Sequence, residues 1–235
     1  VDRVGAFFPV VLGALTVVPV YFAGRALFGR IAGATAAFVL AILPGEFLSR
    51  SLLGFADHHV SEAFFSICTL LFLVLATRRV TADDIRLSTI REGFASGHRG
   101  GFILTALSGI FLGLYLLAWR GGVLLLLVVF TYVAVRAVVD YATKTESDDV
   151  IIVCSTAVII GGAMVLPIVS RTWTPALFIA ALLAAALSPV VLRLLSRYAR
   201  RREWSTRTFA ATLVAIGAGA GALVAVAAPS ALSNA

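Results

Sequence analysis

Charge is scarce in this chain: only 13% of its 235 residues are Asp, Glu, Lys or Arg, against roughly a quarter in a soluble domain. Lysine is nearly absent, since Lys144 is alone among nineteen basic residues, a bias that points to a GC-rich genome rather than to a function. Cysteine is limited to Cys68 and Cys154. Both fall in apolar stretches, so neither a disulfide framework nor a Cys-x-x-Cys metal site is implied. The turns Trp119-Arg120-Gly121-Gly122 and Ser170-Arg171-Thr172-Trp173 carry no P-loop, dinucleotide or hydrolase pattern, and the chain shows no heptad, solenoid or low-complexity repeat. The chain starts at Val1 without Met and without a signal-peptide pattern, and its first apolar run follows almost at once. The expectation is a fragment of a longer protein.

What fills the chain is apolar. Hydrophobic residues make up 60%, and the mean hydropathy is +1.02. One globular core cannot hide that much apolar surface, so the bilayer must act as solvent. The expected fold is all-α: a polytopic transmembrane helical bundle. Crossing a hydrocarbon core of ~30 Å takes ~20 helical residues. Eight segments qualify: Val4–Gly24, Ile31–Leu48, Val60–Thr77, Gly101–Trp119, Gly121–Val139, Val150–Ser170, Thr172–Leu192 and Thr208–Ala228. Residues 1–235 thus read as one partial transmembrane domain, with no soluble domain. Pro44-Gly45 closes the second segment, and Pro175 suits the first turn of the seventh. Gly109-x-x-x-Gly113 and Gly217-x-x-x-Gly221 put small residues on one helix face, which favours close packing.

The net charge of +7 would suggest nucleic acid in a soluble protein. Here it marks cytoplasmic loops and contact with anionic lipids instead. With eight crossings, alternate loops share a side. Only Arg3, Arg50, Arg120 and Arg171 fall opposite the other basic residues. The positive-inside rule makes the crowded side cytoplasmic and puts both chain ends outside. The longest cytoplasmic connector is residues 78–100. There Thr81 and Asp84 resemble a helix start, and Ile85, Ile90 and Phe94 suit the membrane surface; a plain solvated connector is the alternative reading. Residues 143–149 read as a plain loop.

The polar chemistry concentrates on the outer loop at 49–62, Ser-Arg-Ser-Leu-Leu-Gly-Phe-Ala-Asp-His-His-Val-Ser-Glu. It holds Arg50, Asp57, Glu62 and two of the three histidines, His58 and His59. Ionisable groups near a membrane are costly unless paired, hydrated or metal-bound. Asp57 offers a hard oxygen and His59 a nitrogen, a pair suited to several divalent metals. Arg50 can neutralise a phosphate or hold a carboxylate. Local spacing leaves a second reading open, in which Asp57 caps the next helix and the histidines sit at the headgroup level. Glu46 and Glu62 read as interfacial charges, and His98 as a surface residue. Trp119-Arg120-Gly121-Gly122 reads as an interfacial tight turn.

Three segments, GALTVVPVYFAGRALFG (Gly13–Gly29), SRSLLGFADHH (Ser49–His59) and GLYLLAWRGG (Gly113–Gly122), together resemble the membrane part of the archaeal oligosaccharyltransferase catalytic subunit. The middle one is the specific one. The resemblance implies transfer of an oligosaccharide from a dolichyl phosphate or diphosphate carrier to Asn of an Asn-x-Ser/Thr sequon, at the extracytoplasmic face. It implies a divalent cation, Mn²⁺ or Mg²⁺, with Asp57 and His59 as ligands. Arg50 and Asp57 would be the catalytic pair, and Arg50 with His58 would touch substrate. Partners would be the lipid-linked glycan, the acceptor polypeptide and membrane lipids, not nucleic acid. Trp119-Arg120-Gly121-Gly122 departs from the family's commoner Trp-Gly-Gly. A further metal-binding Asp, a catalytic Glu and a sequon-reading soluble domain would lie beyond both chain ends. The alternatives are a small-solute transporter, or a related polyprenyl-phosphate sugar transferase with another acceptor. The charges lie near span ends rather than at the midplane, which weighs against transport.

Overall fold

Helices form wherever the apolar runs occur, because only internal hydrogen bonding satisfies the backbone in lipid. The computed structural model describes residues 2–55, 57–90, 93, 99–146, 148–169 and 175–232, and among the described residues every regular element is helical. The order is α1 (Asp2–Phe28), α2 (Arg30–Ile42), α3 (Glu46–Arg50), α4 (His59–Ala82) and α5 (Arg99–Ala118). A 3₁₀ turn, Arg120–Gly122, leads into α6 (Val123–Ala142). A π-helical turn, Ile151–Ser155, opens α7 (Thr156–Val169), followed by α8 (Pro175–Arg201) and α9 (Thr206–Leu232). Six helices among the described residues are long and apolar enough to cross a membrane: α1, α4, α5, α6, the π turn with α7, and α8.

The second expected crossing, Ile31–Leu48, is not continuous. α2 has 13 residues and is therefore only about 20 Å long. Pro44 disfavours helical backbone at the residue before it, and Leu43 is extended at φ −69°, ψ 116°. The chain then resumes as the short α3. The eighth expected segment lies within α9. Residues 172–174 of the seventh lie outside the described residues, and α8 opens on Pro175 as expected.

Close approach of backbones organises the packing. Between α1 and α2 the chain turns at Gly29 with φ +97°. A Cβ on Gly33 would lie 2.6 Å from the Tyr21 carbonyl oxygen. Gly109 and Gly113 pack α5 against Gly161 and Met164 of α7, as their spacing predicts, whereas Gly217 faces open space. Leu112, Val129, Val133, Val153, Val158 and Val165 fill the core among these helices. Buried hydroxyls are satisfied locally: Thr16, Thr77 and Thr105 each donate to a carbonyl four residues back.

The connector differs from expectation. Thr81 does not start a helix, because α4 runs through it to Ala82. Its hydroxyl lies 2.8 Å from the Thr77 carbonyl oxygen and 2.9 Å from Asp149 Oδ2. Asp84 instead leaves the helix at φ +46°. Ile85 is buried in the core rather than spread on a surface. Phe94 and His98 lie outside the described residues. Residues 143–149 are more than a loop. Arg193 pairs with Asp148 and Glu146, and Arg197 donates to Glu146 at 2.9 Å. Arg200 donates to the carbonyls of Asp140 and Thr145. One end of the bundle is thereby tied by charge, from α4 across to α8.

Candidate active site

The other end of α4, 24 residues away and so about 36 Å distant, carries the polar loop. Its first anchor is α3, whose C-terminal cap Ser51 packs on α1. A Cβ on Gly13 would lie 2.6 Å from Ser51 Cβ, so the approach requires glycine there. The second anchor is Gly54, whose N–H donates to the Ala6 carbonyl at 3.0 Å. Its φ of +85° suits only glycine comfortably. These contacts turn the chain back so that Asp57 meets the residue seven positions before it.

Arg50 is the centre of charge. Its Nε donates to Glu46 and its Nη1 donates to Asp57 Oδ2 at 2.6 Å. The guanidinium stands 5.9 Å from the Phe55 ring centroid. Asp57 Oδ1 accepts the His58 backbone N–H at 2.7 Å and lies 2.7 Å from His58 Nδ1. Asp57 Oδ2 is 3.5 Å from His59 Nε2. The capping alternative for Asp57 does not describe this geometry. His58 occupies the cap position of α4 without a side-chain cap bond, and the Asp57 carboxylate faces Arg50 and the imidazoles.

The electrostatics follow from these contacts. The Arg50 hydrogen bond holds the Glu46 carboxyl below its usual value, and Glu46 in turn raises Arg50. Partial burial pushes Asp57 upward, but the His58 N–H, both imidazoles and Arg50 outweigh it, so Asp57 lies below the ordinary carboxylate range. At neutral pH it is an anion.

Asp57, His58 and His59 each offer a ligand atom, and these atoms lie within 4.8 Å of one another. One oxygen and two nitrogen donors make a mixed set that fits a divalent cation. Beside them opens a cleft of about 570 Å³, lined among others by Arg50, His59, Glu62 and Tyr115. All four site residues expected from the sequence, Arg50, Asp57, His58 and His59, thus come together. Glu46 and Glu62, read from the sequence as interfacial charges, join them. Glu46 is four residues before Arg50 and Glu62 is three after His59. That helical spacing is the signal that would have found them.

The molecule is therefore a multi-spanning helical membrane protein with a carboxylate–imidazole–guanidinium cluster at one end of its helices. It belongs to the family described as oligosaccharyl transferase STT3, N-terminal, whose family model matches residues 1–230. One relative is the Archaeoglobus fulgidus dolichyl-phosphooligosaccharide-protein glycotransferase 3, 35% identical over 127 residues. That stretch is 54% of this chain and 14% of the relative. Another is the Haloferax volcanii dolichyl-monophosphooligosaccharide–protein glycotransferase AglB, 32% identical over 133 residues, or 57% of this chain and 13% of the relative. The chain also shares its fold with the crystal structure of the A. fulgidus oligosaccharyltransferase tethered to an acceptor peptide containing the NVT sequon. There the TM-score is 0.78 at 25% identity, covering 96% of this chain and 27% of that one. The complex of the same enzyme with Zn and sulfate gives a TM-score of 0.78 at 24% identity, covering 96% of this chain and 28% of that one.

Proposed function

We propose that this chain is part of the membrane half of a metal-dependent oligosaccharyltransferase. The enzyme moves a glycan from a dolichyl phosphate or diphosphate carrier to Asn of an Asn-x-Ser/Thr sequon. The observation that carries this reading is the meeting of Arg50, Asp57, His58 and His59 beside one open cleft. The names of the two glycotransferase relatives support the reaction and the carrier. The sequon peptide bound by the A. fulgidus enzyme supports the acceptor.

An amide nitrogen is a poor nucleophile because its lone pair is delocalised. Asp57, held anionic, can accept from an acceptor amide or bind a cation. His59 adds a nitrogen ligand, and Arg50 keeps Asp57 oriented while offering positive charge to a phosphate. A bound Mn²⁺ or Mg²⁺ would supply the charge that stabilises a departing phosphate. The Zn and sulfate complex of the A. fulgidus enzyme makes a cation and a tetrahedral anion reasonable probes.

The cluster faces the extracytoplasmic side in this reading. The support is that Arg79, Arg86, Arg136, Arg193, Arg197 and Arg200 gather near the opposite ends of the helices, where the positive-inside rule puts the cytoplasm. α2 continued by the extended Leu43 and α3, together with α9, would complete about eight crossings and leave both chain ends outside. The test is transfer of a lipid-linked glycan to a sequon peptide by the whole protein. Asp57→Ala should nearly abolish cation-dependent transfer, and unchanged activity would sink the assignment.

A further inference from the structure

Glu62 stands one turn into α4, three residues after His59 and four after His58, so it shares their face. Its Oε2 is 3.0 Å from His59 Nδ1, and its Oε1 is 3.4 Å from His58 Nε2. Asp57 meets the other nitrogen of each ring, at 2.7 Å for His58 Nδ1 and 3.5 Å for His59 Nε2. Each imidazole therefore stands between two carboxylates, and the rings lie against each other at 4.3 Å. The Glu62 side chain is the most enclosed of the four, at 16% exposure against 25% for Asp57 and 37% and 43% for the histidines.

A neutral imidazole presents one lone pair. The nitrogen that carries it is set by the hydrogen bond the other nitrogen makes. At His59 the shorter contact is to Glu62, so Nδ1–H donates there. That leaves Nε2, the nitrogen facing Asp57, free to bind. We propose that Glu62 is a positioning residue of the cation site: through its Oε2 it holds His59 with Nε2 turned toward Asp57. This inference rests on the cation-site reading above. A first-turn acid also complements the helix dipole, but a residue acting only through the dipole would alter stability and leave cation affinity alone.

The experiment is a Mn²⁺ titration of the whole protein in lipid nanodiscs, reading free Mn²⁺ by electron paramagnetic resonance, with thermal stability followed in parallel. Glu62→Leu should weaken Mn²⁺ binding about 10–100-fold, as loss of a carboxylate behind a ligating histidine does. Glu62→Gln keeps an oxygen that accepts from Nδ1–H, and should stay near wild type. If Glu62→Leu does not fold, Glu62→Asp, whose shorter side chain withdraws the carboxylate, carries the same expectation of weakened binding. Wild-type affinity in the Leu or Asp variant overturns the inference, as does a Gln variant that falls as far as Leu. In both cases Asp57→Ala would still abolish binding and the cation site would stand. A wild-type protein that binds no Mn²⁺, or binding untouched by Asp57→Ala, overturns the cation site and this inference together.

Discussion

Arg50 ends a five-residue helix, yet it is held from two sides. Its Nε reaches Glu46 and its Nη1 reaches Asp57. Only a guanidinium presents separate donors in a fixed plane, whereas a lysine ammonium is a single point charge on a flexible stem. Arg50→Lys should therefore keep the charge and lose the geometry. Transfer to a sequon peptide is expected to fall about 100-fold, the cost of misplacing a group by roughly an ångström, while thermal stability stays close to wild type. Equal transfer rates would show that charge alone is sufficient at this position. The clustering of Arg50, Asp57, His58 and His59 was legible in the sequence because they crowd one loop of a charge-poor chain. Local spacing left the capping reading open, and the family resemblance is what singled out Asp57 and His59 as candidate ligands. The role of Glu62 was not legible, because a first-turn acid reads equally as a dipole partner until its distances to two imidazoles are known.

Helix pairs depend on where a side chain would collide. A methyl group added at Gly33 of α2 would meet the backbone of α1 at 2.6 Å from the Tyr21 oxygen and 2.8 Å from the Arg25 nitrogen. Backbone cannot swing away as a side chain can. Gly33→Ala is expected to destabilise by about 1–3 kcal/mol, the usual cost of overpacking, seen as a lower Tm in detergent. Gly217 has nothing within 4 Å, so Gly217→Ala should be neutral or slightly stabilising, since alanine suits a helix interior better. Both glycines lie in apolar helices and look alike in sequence. α2 makes the same point about length: hydropathy ran Ile31–Leu48 together, and the restriction Pro44 imposes on Leu43 ended the helix at Ile42.

Across the whole molecule, the two ends are polar in different ways. The end away from the site is tied by Glu146, Asp148 and Asp149 to Arg193, Arg197 and Thr81. The Arg197 hydrogen bond, followed by that from Arg193, keeps the Glu146 carboxyl below its ordinary value of 4.5. A carboxyl depressed in the folded state binds its proton more readily when unfolded. Its contribution is thus complete above about pH 4.5 and is lost as the pH falls further. The Tm of the wild type should drop more steeply than that of Glu146→Gln as the pH is lowered from 6 toward 3. Parallel curves would show that Glu146 adds nothing to this tie. Salt should shrink the difference, because the carboxylate is half exposed.

Membrane residence followed from a composition that is 60% hydrophobic and 13% charged, and helical class from continuous apolar runs of about 20 residues, which fit a spanning helix rather than the short alternating strands of a barrel. The clustering of Arg50, Asp57, His58 and His59 was equally a matter of sequence, since they lie within ten residues of one another. What only the tertiary structure decided is how those groups face each other. The turn at Gly54 and the packing of Ser51 on Gly13 bring Arg50 against Asp57, and the first turn of α4 adds Glu62 behind the imidazoles. Composition sets the solvent a chain can live in. Distances of about 3 Å between charged groups depend on backbone turns and close helix approaches that no single residue announces.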